Sequence, residues 1–309
     1  MIDLNEKPKV NFSFIKNLLP PIVLEKIRYI KAYLRFLPSK TFLKQNKKLK
    51  NIQKGQRCFI LGSGKSLDHE EIKALKDEIV IGIHSFSEHP DFQHIFNSNT
   101  EKYFFNAPLH GPFTKDYWIK YFKKLEKIIP KNTINFFGLD NYNPNIKNIC
   151  EEKNLFSSHK IYWFFSNVVN NNDTYTDSYN DLDLESNIWT ACTGSIGALI
   201  IALYMGFDEI YLLGMDHDGF LHEVGEDRFE SMDMKNPIYA EEITHINEMK
   251  SRGIAEGKRS QVFQQTSEIF EQYERLNAMH PNRIFNLGKT SLLDTFESRR
   301  LVDVINKLK

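Results

Sequence analysis

The chain has 309 residues, enough for one large α/β domain or two small ones. It is 41% hydrophobic and 26% charged, and its 40 basic side chains match 40 acidic ones, so no overall field favours nucleic acid and no nucleic-acid partner is expected. Cys58, Cys150 and Cys192 lie far apart, without metal spacing or an even count, which fits a reducing compartment. The longest apolar stretch, Thr193–Phe207, contains three glycines and falls short of the roughly 20 residues that span a bilayer. Asp3, Glu6 and nearby lysines do not read as a secretory signal, and a cytoplasmic protein is expected.

Residues 1–54 form the first unit, a basic helical extension. Between Pro21 and Lys54 the basic side chains run from Lys26, Arg28, Lys31 and Arg35 to Lys54, opposed only by Glu25. Ile22, Val23, Leu24, Ile27, Ile30, Tyr33, Leu34, Phe36 and Leu37 fit helical spacing until Pro38, which is expected to end the helix. Two readings stand: contact with an anionic surface, such as the inner membrane, or a partner, and packing on the chain's own domain.

Residues 55–309 alternate. Arg57–Leu61 reads as a strand, Leu67–Leu75 as a helix, and Glu78–Ile83 and Lys102–Asn106 as strands. Lys115–Ile129 reads as a helix, followed by strands at Thr133–Phe137 and Lys160–Phe165. Thr193–Met205 is a buried helix, Glu209–Leu213 a central strand and Val262–Met279 a long helix; strand Arg283–Leu287 and helix Thr295–Leu308 close the chain. Such alternation predicts an α/β fold with a mostly parallel, Rossmann-like sheet and helices on both faces. The polar run Asn167–Asn187 is expected as a loop, and the charged segment at about 217–260 as a lid.

Three segments carry chemistry. Gly62-Ser63-Gly64-Lys65-Ser66 follows the first strand, where α/β folds place phosphate turns, although its spacing is neither that of a Walker A loop nor of a full dinucleotide fingerprint. Thr193-Gly194-Ser195 opens a helix; its hydroxyls serve either as N-cap or as ligand contacts, and Gly197 permits close packing on the sheet. Gly214-Met215-Asp216-His217-Asp218 ends a buried strand. Asp216 there suits ribose or base recognition, and Asp216 with Asp218 suits Mg²⁺ or Mn²⁺ if the reaction is metal-dependent. Capping of the turn by Asp216, with His217 and Asp218 solvated, is the plain alternative.

The run Thr193-Gly-Ser-Ile-Gly-Ala198, with Met205-Gly-Phe-Asp-Glu-Ile-Tyr-Leu-Leu-Gly-Met-Asp216, resembles the core of bacterial lipooligosaccharide sialyltransferases and the related MptE-like proteins. The latter include the central domains of Maf flagellin glycosyltransferases and the hydroxymethylpterin diphosphokinases. Phe59–Leu67, Ile83-His84-Ser85-Phe86, Tyr103–Asn106 and Phe285–Leu293 resemble further blocks of that family, so the likeness spans about Gly55 to Phe296.

The resemblance implies a glycosyltransferase-A-like nucleotide fold using a nucleotide-activated sugar, with a CMP-activated nonulosonate as donor in the sialyltransferase branch. It implies nucleotide contacts from Gly62, Ser63, Gly64, His84, Asn106, Thr193, Gly194, Gly214 and Asp216, and Ser195 joins them as part of the same turn. A glycan, glycolipid or protein would be the acceptor, in surface-glycan or flagellin glycosylation. The chain departs from the pattern at Ser63 and Lys65, which replace asparagine and proline, at His84, which replaces asparagine, and at two further places. Ala191 stands where those sialyltransferases have arginine, and Gln261 and Gln264 where they have their catalytic histidine.

A base for an acceptor hydroxyl is therefore sought among other side chains. His217 is the first candidate because it is anchored to a strand end, and Asp216 and His245 are further catalytic candidates. His110, His222 and Tyr239 stand at the same rim or in the lid. A Mg²⁺-dependent diphosphokinase and a non-catalytic nucleotide-binding protein are the rival readings.

Overall fold

A computed structural model describes residues 36–109, 114–140, 144–166, 182–188, 190, 193–221 and 259–306, with isolated positions between 20 and 34 and at 244, 247 and 251. Its strands are β1 (Arg57–Leu61), β2 (Val80–Ile83), β3 (Lys102–Asn106), β4 (Ile134–Leu139), β5 (Lys160–Ser166), β6 (Asn187–Ile188), β7 (Glu209–Leu213), β8 (Ile284–Asn286) and β9 (Glu297–Ser298). All pair in parallel, in the order β6-β5-β4-β3-β2-β1-β7-β8-β9. The helices are α1 (Lys40–Leu43), α2 (Phe92–Phe96), α3 (Lys115–Ile128), α4 (Ile146–Lys153), α5 (Gly194–Met205), α6 (Arg259–Met279) and α7 (Leu301–Asn306).

Alternation along each strand sends side chains to two separate cores. Phe59 and Leu61 of β1 join Phe104, Phe137, Tyr211 and Leu213 on one face, under α2, α3 and α4. Cys58 and Ile60 join Ile81, Phe105, Ile210 and Leu212 on the other, under α5 and α6. Strands buried on both faces read as near-continuous apolar runs, here interrupted by buried Lys102, Asn106 and Asn135, which is why they are readable in sequence. The fold is α/β, with a parallel Rossmann-like sheet and helices on both faces.

The chain order places the site. From β1 the chain winds outward to β6, then α5 returns it across the sheet to β7, on the other side of β1. The crevice between the carboxyl ends of β1 and β7 is thus a topological switch point, where open α/β sheets bind ligands. α5 is buried from Ser195 to Met205, between the sheet and α6, which explains an apolar surface all round. Gly197 sets its approach: a Cβ there would lie 2.4 Å from Phe105 Cζ on β3.

Several elements differ from the sequence reading. Leu67–Leu75 is not one helix but two 3-10 segments, Lys65–His69 and Ile72–Asp77, separated where Glu70 turns extended at φ −125°, ψ 141°. Pro38 does not end the helical course; it occupies the first turn of Leu37–Ser39, where no N–H donor is needed, and α1 follows. The closing helix begins at Leu301, because Glu297–Ser298 instead pairs with β8, where the Arg299 guanidinium lies 3.4 Å from the Phe285 ring centre. From Phe36 onward the basic extension packs on the sheet. Phe36 and Leu43 meet Leu139 and Phe165, and Asn46 Nδ2 donates to the carbonyls of Trp163 (2.7 Å) and Leu184 (2.8 Å). Most of Asn167–Asn187 and of the expected lid lies outside the described residues.

Replacing Gly197 by Ala sets two effects against each other. Ala favours an isolated helix by about 1 kcal/mol, while overpacking against Phe105 costs about 1–3 kcal/mol. Gly197→Ala is expected to lower stability in urea denaturation; a net gain would show that α5 does not approach β3 this closely.

Candidate functional site

A cleft of about 360 Å³ opens at the switch point. One wall is the β1 turn, with Ser63 and Gly64; a second is the β7 end, from Gly214 to Gly219; a third is the start of α5, from Thr193 to Ser195. Ile83, His84 and Ser85 close it beside β2, and Val262 and Thr266 of α6 form its rim.

The first two walls are fastened to each other by three hydrogen bonds. Gly62 N–H donates to Leu213 O (2.8 Å) and Gly64 N–H to Gly214 O (3.0 Å). Ser66 N–H donates to Asp216 Oδ2 at 2.8 Å, and Asp216 is only 4% exposed. The glycines therefore leave room for the chain itself. A Cβ on Gly62 would lie 2.3 Å from Gly214 O, and one on Gly64 would lie 2.5 Å from Asp216 Oδ2. Gly214 has φ +70°, a left-handed value that suits glycine. The expectation that this turn offers its amides to a phosphate meets a competing use, because the Gly62, Gly64 and Ser66 amides are already hydrogen-bonded.

The third wall is different. Thr193 is the N-cap of α5, a 12-residue helix, but its side chain makes no capping hydrogen bond. Its hydroxyl instead pairs with Ser195 Oγ at 2.9 Å. The first-turn N–H groups are left at the cleft, at the positive end of the helix dipole.

Tyr273, on α6 and fully buried, ties two walls together and was not anticipated from sequence. Its hydroxyl donates to Ser195 Oγ at 2.6 Å, and His217 Nε2 lies 2.9 Å from the same hydroxyl. With the phenolic proton directed at Ser195, Nε2–H of His217 donates to the tyrosine oxygen, and the lone pair of the neutral ring sits on Nδ1. Burial pushes the imidazole pKa down to about 4, against a smaller upward pull from Asp218. Burial likewise raises that of the Tyr273 phenol, so the network is uncharged at neutral pH.

Both cleft histidines hold left-handed backbone conformations, His84 at φ 39° and His217 at φ 54°. Such values are uncommon for non-glycine residues and concentrate at functional sites. The His84 ring stacks on Tyr121 with centroids 5.1 Å apart. Asn106 does not line the cleft; it is buried behind it, where its Nδ2 donates to Ala107 O and its Oδ1 accepts from Tyr121, both at 2.9 Å. His110, His222, Tyr239 and His245 lie outside the described residues.

The Asp216 carboxylate straps the β1 turn to the β7 end. Asp216 Oδ2 is engaged by Ser66 N–H, and among the described residues no three acidic, histidine or cysteine side chains converge. Mg²⁺ commonly takes one or two carboxylates together with water and substrate phosphates, and Asp216 and Asp218 both line the cleft, so the diphosphokinase reading is separated from the transferase by ligand response with and without Mg²⁺.

No family model and no curated protein matches the chain. Solved structures of the sialyltransferase CstII from Campylobacter jejuni are similar. That in complex with the substrate analogue CMP-3FNeuAc is 15% identical, with coverage of 79% of this chain and 86% of that one and a TM-score of 0.42. That with cytidine-5'-monophosphate is 16% identical, with coverage of 79% and 85% and a TM-score of 0.41. The α/β fold itself rests on the sheet order described above.

The depressed His217 pKa has a definite sign in stability. The unfolded chain binds this proton near pH 6.5, and the folded protein only near pH 4. Folding stability from this group is therefore complete above about pH 6.5 and lost as pH falls toward 4. Urea denaturation at stepped pH is expected to show a shallower acid loss in His217→Gln than in the parent protein; identical slopes would mean that His217 titrates normally in the fold.

Proposed function

We propose that the cleft binds the nucleotide of an activated sugar and that the protein is a nucleotide-sugar-dependent glycosyltransferase, with a CMP-activated nonulosonate as the donor favoured by the sequence resemblance. The observation that carries this reading is the uncapped N-terminus of α5, which opens into a cleft at the switch point of a parallel sheet. The donor phosphate sits on the Gly194 and Ser195 amides and the Thr193 and Ser195 hydroxyls. Ser63, Gly64, Gly214 and His84 line the space for the nucleoside, and Asp216 shapes that space by holding the β1 and β7 turns together.

Transfer is a direct displacement at the anomeric carbon. The acceptor oxygen forms a bond to that carbon as the carbon–oxygen bond to the phosphate breaks, and the acceptor proton passes to a base. Helix amides stabilise the charge that grows on the leaving phosphate. His217 Nδ1 is the candidate base anchored at a strand end. Its low pKa makes it a weak one, and an anionic phosphate beside it raises that pKa toward the useful range. His245 remains a candidate from outside the described residues. The acceptor is a surface glycan, glycolipid or protein, reached from the cytoplasmic side.

Thermal denaturation with CMP, UDP, GDP and ATP, each with EDTA or Mg²⁺, tests the donor class. CMP is expected to raise the melting temperature by several degrees without metal. A rise only with ATP and Mg²⁺ would replace this reading by the diphosphokinase, and no rise with any nucleotide would remove it.

Thr193→Asp tests the placement of the phosphate. An aspartate N-cap stabilises a helix by about 1 kcal/mol relative to an uncapped end, yet it puts a carboxylate where the phosphate would sit. The variant is expected to melt no lower than the parent and to lose its response to CMP. A retained response would move the phosphate elsewhere in the cleft.

A further inference from the structure

The basic segment ahead of the sheet has two faces with different fates. Phe36 (4% exposed) and Leu43 (0%) are buried against Leu139 and Phe165. Upstream, Val23, Lys26, Ile27, Ile30, Tyr33 and Leu34 are each helical and exposed. Ile30 is 54% exposed and Leu34 58%, and Leu37, opening the 3-10 turn, is exposed as well. Val23, Ile27, Ile30, Leu34 and Leu37 follow one another at alternating steps of four and three, which places them on a single stripe of a helix. The chain's own domain thus covers Phe36 and Leu43 but not this stripe.

Charge decides what can cover it. From Pro21 to Lys54 the only acid is Glu25, set against Lys26, Arg28, Lys31, Arg35 and six further lysines. The chain as a whole is neutral, so the remainder carries a matching excess of acid. Two copies meeting along this stripe would bring like charges together. An anionic lipid surface attracts the segment and repels the rest of the molecule, which fixes the orientation. Tyr33 beside the stripe is an aromatic suited to the headgroup level.

Among the described residues no helix is long and apolar enough to cross a membrane. We infer that the segment from Val23 to Leu37 is an interfacial docking element for an anionic lipid bilayer, lying in its surface with the apolar stripe inward. Phe36 packs where β4 and β5 end, at Leu139 and Phe165, so the element joins the body at the carboxyl end of the sheet. That is also the end at which the cleft opens. Docking is independent of the reaction proposed above.

Flotation of the full chain with vesicles of phosphatidylcholine alone, or of phosphatidylcholine mixed with phosphatidylglycerol, tests the inference. The protein is expected to float with the anionic vesicles and to be released in high salt, with little binding to the neutral ones. Ile30→Ser combined with Leu34→Ser, both on exposed positions, is expected to lower the bound fraction about tenfold or more, with an unchanged melting temperature. Thr193→Asp is expected to float like the parent, which separates this result from that of the nucleotide site. Equal flotation with both vesicle types, no flotation, or a stripe-dependent dimer in light scattering would each overturn the inference.

Discussion

Everything at the carboxyl end of the sheet depends on how the β1 and β7 turns are held together. Parallel neighbours end side by side, and their loops leave the ladder with unsatisfied amides. Here the β7 carbonyls and the Asp216 carboxylate accept from Gly62, Gly64 and Ser66. Backbone has to approach backbone closely for this, which requires glycine at 62 and 64 and a left-handed glycine at 214. Ser291 Oγ and Leu292 N–H extend the arrangement from the last loop, donating to the carbonyls of Met215 and Asp216. Two walls of the cleft are therefore fastened to each other through the Gly62, Gly64 and Ser66 amides.

With those three amides engaged, an anion is directed to the remaining wall. The start of α5 is approached from the sheet side by Ile83 and Phe105, so Gly194 and Gly197 bring the helix in close. Tyr273 then fixes Ser195 from α6 and reaches across to His217. A hydroxyl locked in this way no longer competes to cap the helix. The neutral network of His217, Tyr273, Ser195 and Thr193 joins a strand end to a helix start without placing a fixed charge in the cleft. A phosphate at the start of α5 then meets amides and hydroxyls, while the Asp216 and Asp218 carboxylates stand on the β7 wall.

The parts legible in sequence were those in which local pattern and burial agree. Arg57–Leu61, Lys102–Asn106 and Glu209–Leu213 are short apolar runs between polar breaks, and they fold as strands over those limits. The cleft residues at Gly62–Gly64, Thr193–Ser195 and Gly214–Asp218 were legible because strand ends and helix starts in α/β folds fall at one edge of the sheet, whereas His84 came only from the family resemblance. Misreadings came from long-range causes. Leu67, Ile72 and Leu75 are spaced as in one helix because all three are buried, although the backbone between them is extended at Glu70. Tyr273 sits in the middle of a polar helix, and nothing near it in sequence tells which strand end its hydroxyl will reach. The start of α4 carries a local signal, the reciprocal capping box of Asn145 and Asn148. The use of the glycine-turn amides by β7 was invisible, since it joins residues 150 apart.

The central claim is that an anion belongs on the first turn of α5 rather than on the glycine turn after β1. Backbone amide NMR, comparing titration with CMP and with cytidine, isolates the contribution of the phosphate. The account predicts that the difference between the two ligands is largest at the Gly194, Ser195 and Ile196 amides and small at Gly62, Gly64 and Ser66. A difference centred on residues 62–66, with α5 unaffected, would contradict it.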